Sequence, residues 1–249
     1  MKTILITGCS SGFGLDTARY FLERGWKVIA TMRTPREDVL PRSEHLRVIP
    51  LDVTQPQSIH ALVEAAGPID VLVNNAGVGL MGVFEGTSME TVRSTFETNT
   101  LGAMAVTHAF LPGFRQRKAG HIVNVSSGTT FKPLPLLAVY TASKAALNAF
   151  TESLALELQP LNVRVSLVIP GRSPETPFAQ NAQARGVTVP EAYAGFVRSI
   201  FEQRTAHASG PVTRSLDVAE AIWRAVNDPS APLRLPAGAD AVEMARTRT

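Results

Sequence analysis

Short apolar runs alternate with amphipathic stretches along the first 170 residues of the chain. Apolar runs without polar interruptions are typical of strands buried on both faces, and apolar residues every three or four positions are typical of helices. The predicted strands are Thr3–Thr7, Lys27–Met32, Leu46–Leu51, Ile69–Asn74, His121–Val125 and Val163–Ile169. The predicted helices are Leu15–Arg24, Ser58–Ala66, Met89–Arg117, with a bend near Gly102, and Tyr140–Leu158.

This order of elements predicts an α/β fold, because strand–helix–strand units build a parallel sheet covered by helices on both faces. We expect a doubly wound Rossmann fold with three α/β/α layers, in one domain over residues 1–249. The segment Gly171–Gly210 does not continue the pattern and is punctuated by prolines, so we interpret it as a substrate lid. A last helix, Val218–Val226, and an edge strand, Leu233–Leu235, follow it.

Composition and charge exclude several classes of protein. With 45% hydrophobic and 18% charged residues, the chain is globular rather than disordered or fibrous. The net charge of +3 comes from scattered basic residues, so we expect no nucleic-acid partner. The lone Cys9 cannot form an intrachain disulfide, and the five histidines lack metal-binding spacing, so we expect no metal. We also expect a cytoplasmic protein with no signal peptide and no membrane span.

A glycine-rich turn lies between the first predicted strand and the first predicted helix. Gly8 permits a tight turn, Gly12 lets a pyrophosphate approach the backbone, and Gly14 lets the helix pack close to the sheet. Unpaired N–H groups at the helix N-terminus attract phosphates, and the hydroxyls of Ser10 and Ser11 add donors. The turn therefore predicts a dinucleotide site, the alternative being a plain glycine-rich turn.

The end of the second predicted strand indicates which dinucleotide is bound. An NAD site is expected to have a carboxylate there for the ribose 2′-hydroxyl. This chain has Arg33 instead, whose guanidinium can hold a 2′-phosphate. The sequence thus predicts NADP(H) in preference to NAD(H), unless Arg33 is an ordinary surface residue.

Tyr140 and Lys144 lie one turn apart on a predicted helix and form a candidate acid–base pair. A phenol with a pKa near ~10 is a poor base at neutral pH. We expect the lysine ammonium and a positively charged nicotinamide ring to lower that pKa. An exposed helix pair without a function is the alternative for this spacing alone.

Two further residues can act beside this pair. Ser127 ends the fifth predicted strand at the sheet edge where α/β folds bind ligands, and its hydroxyl can polarise a substrate carbonyl. Ser126 is the nearby alternative, although it is better suited to backbone hydrogen bonds. Asn99 lies inside a predicted helix, where an amide has no propensity advantage, so it has either a polar task or a satisfied core position.

The chain resembles the short-chain dehydrogenase/reductase family, in its short single-domain branch. The motifs that match occur in the family's order from residue 3 to about residue 176. They are Thr7-Gly8-Cys9-Ser10-Ser11-Gly12-Phe13-Gly14, Leu51-Asp52-Val53-Thr54, Asn74-Asn75-Ala76-Gly77, Asn99, Ser127, Tyr140-Thr141-Ala142-Ser143-Lys144 and Pro170-Gly171.

This resemblance implies a role for each matching residue. Tyr140 would be the general acid/base, Lys144 would lower its pKa and bind the nicotinamide ribose, and Ser127 would orient the carbonyl. Asn99 would hold a water in a proton relay through Lys144. The implied cofactor-binding residues are Gly8, Ser10, Ser11, Gly12, Phe13, Gly14, Arg33, Asp52, Val53, Asn75, Ala76 and Gly77, together with Tyr140 and Lys144.

Two positions depart from the family pattern. Family members often carry a threonine four residues after the glycine that follows the sixth strand, near the nicotinamide amide. Here Thr176 falls one position late, and either Ser173 or Thr176 takes that role. Many NADP-preferring members have a basic residue where this chain has Ser11, which leaves Arg33 as the main charge argument.

The sequence therefore predicts an NADP(H)-dependent oxidoreductase that interconverts an alcohol and a ketone or aldehyde. Apolar residues such as Met81, Phe84 and Phe178 indicate an apolar small-molecule substrate, whose identity the sequence does not give. The resemblance also implies a homodimer or homotetramer. Two alternatives are a sugar-nucleotide epimerase or dehydratase, which also uses a Tyr-x-x-x-Lys pair, and a cofactor-binding regulator without catalysis.

Overall fold

A single parallel sheet organises the protein. The computed structural model describes residues 1–183, 187–206 and 209–247, and within them the strand order is β3-β2-β1-β4-β5-β6-β7. The strands are β1 (Thr3–Ile6), β2 (Lys27–Met32), β3 (Leu46–Pro50), β4 (Val71–Asn74), β5 (Gly120–Val125), β6 (Val163–Pro170) and β7 (Arg234–Ala237). All pairs are parallel, which confirms the predicted doubly wound α/β fold.

Helices cover both faces of this sheet. They are α1 (Gly12–Glu23), α2 (Pro56–Ala66), α3 (Met89–Phe96), α4 (Gly102–Arg117), α5 (Ala138–Leu158), α6 (Phe178–Gln183), α7 (Ala194–Ala206), α8 (Ser215–Asn227) and α9 (Ala239–Arg246). None of the helices in the described part of the chain has the length and apolar character needed to cross a bilayer.

Alternate residues of each strand pack into two separate cores. Ile4 and Ile6 of β1 belong to the core beneath α1 and α8, with Phe21. Leu5 points the other way, into the core beneath α2, α4 and α5, with Phe114. Because successive side chains on a strand point to opposite faces, uninterrupted apolar strands such as β1 fit a sheet that is covered on both sides.

The predicted helix Met89–Arg117 is helical throughout but is not one regular α-helix. A π-helical turn, Glu97–Leu101, separates α3 from α4. The irregular turn therefore precedes Gly102, and it contains Asn99. An extra residue in a helical turn is common where a functional group has to be redirected.

The C-terminal third differs most from the prediction. The last predicted helix begins three residues earlier, at Ser215, and the predicted edge strand is β7 at the end of the sheet. Helix α9 is not predicted by the sequence pattern, because its eight residues are too few for a clear apolar period. Within Gly171–Gly210, α6 and α7 are formed, while residues 184–186 and 207–208 lie outside the described residues.

Candidate active site

The candidate residues converge on the edge formed by the carboxyl ends of β1, β4, β5 and β6. These strands are adjacent in the sheet, so the loops that follow them meet in one crevice. Ligands of open α/β sheets bind at this edge.

The glycine loop after β1 is shaped by close backbone contacts. A Cβ atom on Gly8 would lie 2.8 Å from Ala76 Cα, and one on Gly14 would lie 2.3 Å from Gly8 O. Gly8 and Gly12 have φ angles of 75° and 57°, which disfavour other residues. Ser11 is the N-cap of α1 but makes no side-chain capping bond, and the first turn of α1 has no acidic residue. The helix N-terminus thus suits an anionic ligand.

Thr7 and Asn75 hold this loop against the end of β4. Thr7 Oγ1 accepts hydrogen bonds from the backbone N–H groups of Asn75 at 3.0 Å and Ala76 at 2.9 Å. The Asn75 side chain donates to Thr7 O at 2.9 Å and to Gly8 O at 3.1 Å. The Asn75 amide therefore fixes the loop, and Thr7 is a positioning residue that the sequence analysis missed.

The remaining residues of the loop differ in exposure. Ser10 and Ser11 are exposed, so their hydroxyls are accessible to a ligand. Phe13 is half-buried and packs against the core beneath α1 and α8. The Phe13 side chain therefore supports the loop.

Arg33 and Asp52 mark the other end of the crevice. Arg33 is exposed directly after β2. Hydrogen bonds from Thr54, at 2.9 Å from its N–H and 2.7 Å from its hydroxyl, lower the pKa of Asp52, and the charge of Arg33 lowers it further. Arg33 is thus close enough to Asp52 for their charges to interact, and no acidic residue directly follows β2.

Val53 is turned away from the crevice. Its Cγ2 would lie 2.7 Å from a Cβ on Gly102, and it lines an apolar groove of about 520 Å³ between α2 and α4. Of the two implied cofactor-binding residues Asp52 and Val53, the side chain of Val53 therefore packs toward this groove.

Tyr140 and Ser127 form the centre of the site. Tyr140 lies in the first turn of α5, is 7% exposed, and has the Ser127 side chain close enough to influence the pKa of its phenol. Ser127 Oγ also accepts from Thr129 N–H at 3.3 Å. The alternative residue, Ser126, donates instead to Asn148 Oδ1 at 2.5 Å. The structure thus brings Ser127, and not Ser126, to the phenol.

Burial controls the ionisation of Tyr140 and Lys144. Burial raises the pKa of Tyr140 to about 12, and the hydrogen bond with Ser127 offsets part of that rise. Burial also lowers the pKa of Lys144 to about 8. Desolvation is therefore the largest effect on the phenol in this structure. The lowering of its pKa by Lys144 together with a positively charged nicotinamide ring stays a prediction.

Lys144 and Asn99 meet beside Gly77. Lys144 Nζ donates to Val125 O at 2.9 Å, and a Cβ on Gly77 would lie 3.3 Å from this Nζ and 3.2 Å from Asn99 Oδ1. The Asn99 amide accepts from Val78 N–H at 2.8 Å and donates to Val78 O at 2.9 Å. It also donates to Ser143 Oγ at 3.0 Å. The Asn99 side chain is therefore a satisfied core amide.

The two candidates after β6 occupy different places. Thr176 is buried, and its Cγ2 would lie 3.4 Å from a Cβ on Gly12. Its hydroxyl donates to Ser173 O at 3.1 Å. Ser173 Oγ is buried without a hydrogen-bond partner in the described residues. Thr176 is therefore placed against the glycine loop.

Apolar residues close the other side of the crevice. The Phe178 ring lies 5.6 Å from the Tyr140 ring in an edge-on arrangement. A Cβ on Gly79 would lie 2.9 Å from Phe178 Cε1, so α6 packs closely on the loop after β4. Met81 contacts Arg204 of α7, whereas Phe84 is 60% exposed.

The chain matches a known protein family. The family model described as short chain dehydrogenase matches residues 2–187. The chain is 40% identical over 181 residues to human "Retinol dehydrogenase 8", a match that covers 68% of this chain and 58% of that protein. It is 37% identical over 205 residues to "3-ketodihydrosphingosine reductase" of Bacteroides thetaiotaomicron, covering 80% of this chain and 74% of that protein.

Solved structures with the same fold include cofactor complexes. A short-chain dehydrogenase from Streptomyces avermitilis superposes with a TM-score of 0.82 at 32% identity, covering 99% of this chain and 92% of that one. The closed form of serine dehydrogenase complexed with NADP+ superposes with a TM-score of 0.78 at 28% identity, covering 96% of this chain and 95% of that one. A short-chain dehydrogenase/reductase from Burkholderia phymatum in complex with NAD superposes with a TM-score of 0.81 at 26% identity, covering 98% of this chain and 92% of that one.

Proposed function

The chain belongs to the short-chain dehydrogenase family, and we propose that it is an NADP(H)-dependent oxidoreductase that interconverts an alcohol and a ketone or aldehyde. The observation that carries this proposal is the placement of the buried Tyr140 phenol beside the Ser127 side chain, with the buried Lys144 one turn along the same helix. The glycine loop lies at the same sheet edge. A phenol, a hydroxyl and an ammonium beside a phosphate-binding turn can serve a carbonyl and a dinucleotide together.

The residues present fit a nicotinamide dinucleotide. Gly8, Gly12 and Gly14 hold the backbone where a larger residue would clash or be strained, so the loop can approach a pyrophosphate closely. Phosphates would lie at the N-terminus of α1, where the exposed hydroxyls of Ser10 and Ser11 add donors. We assign the position near the nicotinamide amide to Thr176, because its Cγ2 would lie 3.4 Å from a Cβ on Gly12 of this loop.

We propose NADP(H) rather than NAD(H) because of Arg33. This exposed guanidinium directly follows β2, where a carboxylate would bind a 2′-hydroxyl and repel a 2′-phosphate. Its charge also reaches Asp52. Neighbouring structures contain either cofactor, so the support comes from this chain's own residues.

Tyr140 would act as the general acid in carbonyl reduction. A bound nicotinamide would supply or accept the hydride. The Tyr140 hydroxyl would donate its proton to the developing alkoxide, while the Ser127 hydroxyl hydrogen-bonds the same oxygen. With a pKa of about 12, the phenol is protonated at neutral pH, as reduction requires.

Lys144 would stabilise the phenolate that remains after proton transfer. Its pKa of about 8 leaves the ammonium mostly charged at pH 7, and Val125 O occupies one of its three donors. The other two donors would be available to the ribose hydroxyls of a bound cofactor, since Nζ would lie 3.3 Å from a Cβ on Gly77. Since the Asn99 side chain is fully bonded, any part it plays in a proton relay would use its backbone carbonyl in the π-helical turn.

The substrate is proposed to be an apolar alcohol or carbonyl compound. Phe178 lies against the Tyr140 ring and forms an apolar wall next to the phenol. The names of the retinol and ketodihydrosphingosine relatives are consistent with apolar substrates. This proposal includes a single domain over residues 1–249 with a lid over 171–210. It also includes a cytoplasmic location and assembly as a homodimer or homotetramer.

A tyrosine pair tests the function. Tyr140→Phe should keep NADPH affinity within about twofold and lower turnover by at least ~100-fold, because only the acid is removed. Tyr20→Phe removes a hydroxyl near the C-terminal end of α1, away from the glycine loop, where the Tyr20 ring packs on Trp223. It should change neither NADPH affinity nor turnover. NADPH absorbance with a panel of ketones and aldehydes gives the rate. Near wild-type turnover in Tyr140→Phe would refute the assignment.

A further inference from the structure

Helix α9 places a buried carboxylate at the base of the active-site crevice. Asp240 is 9% exposed, and its Oδ2 accepts a hydrogen bond from the backbone N–H of Arg172 at 2.6 Å. A Cβ on Gly171 would lie 2.2 Å from the same oxygen. The carboxylate therefore lies against the backbone where the chain leaves β6.

The second oxygen of Asp240 lies next to Thr213, near the end of the segment that connects β6 to α8. Thr213 Oγ1 lies 2.7 Å from Asp240 Oδ1 and 2.8 Å from Ala237 O, and it accepts from Gly171 N–H at 2.8 Å. The Thr213 backbone N–H also donates to Arg172 O at 2.8 Å. One carboxylate and one hydroxyl thus join the residues that leave β6 to those that lead into α8.

The residues held in this way lead directly to the glycine loop. Thr176 is four residues beyond Arg172 and contacts Gly12. Helix α9 touches the other side of the crevice too, since Met244 Cε would lie 2.8 Å from a Cβ on Gly128, the residue after Ser127. The same helix therefore contacts the loops that carry Thr176 and Ser127.

We propose that Asp240, acting with Thr213, is a positioning residue of the dinucleotide site. Its hydrogen bonds hold residues 171–176 so that Thr176 stays against the glycine loop. This inference rests on the proposed function. Both residues lie outside the region that the family model matches, residues 2–187. They act through the backbone, and neither is a ligand-contacting residue.

Two pairs of substitutions separate the hydrogen bonds from side-chain volume. Asp240→Ala removes both acceptors, while Asp240→Asn keeps an acceptor for Arg172 N–H and an amide donor for Thr213 Oγ1. Thr213→Val removes the hydroxyl, and Thr213→Ser retains it. Glu243→Ala, which removes an exposed carboxylate from the same helix, is the matched control.

Hydrogen exchange and NADPH titration provide the readouts. We expect Asp240→Ala and Thr213→Val to accelerate amide exchange in residues 171–176 and to raise the NADPH Kd about tenfold, the usual scale for a charged hydrogen bond. The NADPH KM should rise similarly while kcat stays within about twofold. Asp240→Asn, Thr213→Ser and Glu243→Ala should remain close to wild type.

Two outcomes would overturn the positioning role. These are unchanged exchange in residues 171–176 and an unchanged NADPH Kd, including an unchanged Kd at reduced binding stoichiometry. If Asp240→Ala does not fold, the Thr213→Val and Thr213→Ser pair decides. A wild-type protein that does not bind NADPH would instead refute the proposed function, whereas equal affinity in wild type and variants refutes only this inference.

Discussion

Replacing Arg33 tests the cofactor preference on which the proposed function depends. Arg33→Ala removes the only charged side chain directly after β2 in the described structure, without touching the glycine loop. The 2′-phosphate of NADPH would lose a charged partner, whereas NADH has no 2′-phosphate. Asp52, whose pKa Arg33 helps to lower, would then repel the phosphate without compensation.

The expected loss follows from the exposure of Arg33. A hydrogen bond to a charged group contributes about 1.5–3 kcal/mol, and screening by water and salt favours the lower part of that range for an exposed guanidinium. Since 1.36 kcal/mol corresponds to tenfold, kcat/KM for NADPH should fall by roughly 10- to 30-fold. The kcat/KM for NADH should change by less than about twofold, because NADH has no 2′-phosphate for Arg33 to bind.

Steady-state kinetics with both cofactors measures this change. Arg36→Ala is the matched control, because it removes an exposed arginine from the same loop whose Nη2 already lies 3.2 Å from Asp38. It should alter NADPH kinetics by less than about twofold. Equal losses in the two variants would reduce the role of Arg33 to general charge. An unchanged ratio of NADPH to NADH efficiency in Arg33→Ala would refute it.

Two further substitutions test the protein interior. Burial lowers the pKa of His121 from 6.5 to about 3, so the unfolded chain takes up the proton first as pH falls. About 2 kcal/mol of stability should be lost between pH 7 and 5. His121→Gln, measured by chemical denaturation, should lack that loss. An identical pH profile in the two proteins would contradict the burial of His121. Gly14→Ala places a Cβ 2.3 Å from Gly8 O and should lower stability by about 1–3 kcal/mol in thermal unfolding, whereas Gly195→Ala meets nothing within 4 Å. Equal effects of the two alanines would contradict the close packing.

The parts of the fold that sequence predicts are those with local signals. Strand β2 matches its predicted bounds, because the five residues after Lys27 form a buried run without a charged or turn-forming residue. The glycine loop also has a local signal, because the spacing of its glycines is typical of a turn between a strand and a helix. Tyr140 and Lys144 are found from a spacing within one helix.

The features that the sequence does not predict depend on distant residues. The bond between Arg172 and Asp240 spans 68 residues, and no local pattern announces it. The π-helical turn around Asn99 differs from an α-helix by one hydrogen-bond register. The direction of the Tyr140 pKa depends on burial beneath α6, which a sequence motif does not contain.

Transfer of deuterium tests the central claim most directly. A single turnover with NADPH labelled at the reactive C4 position, using a ketone that the enzyme reduces, gives an alcohol whose mass can be measured. The account predicts one deuterium on the carbinol carbon with wild type, and label transfer at least ~100-fold slower with Tyr140→Phe at saturating NADPH. An unlabelled alcohol, or equal rates in the two proteins, would contradict it.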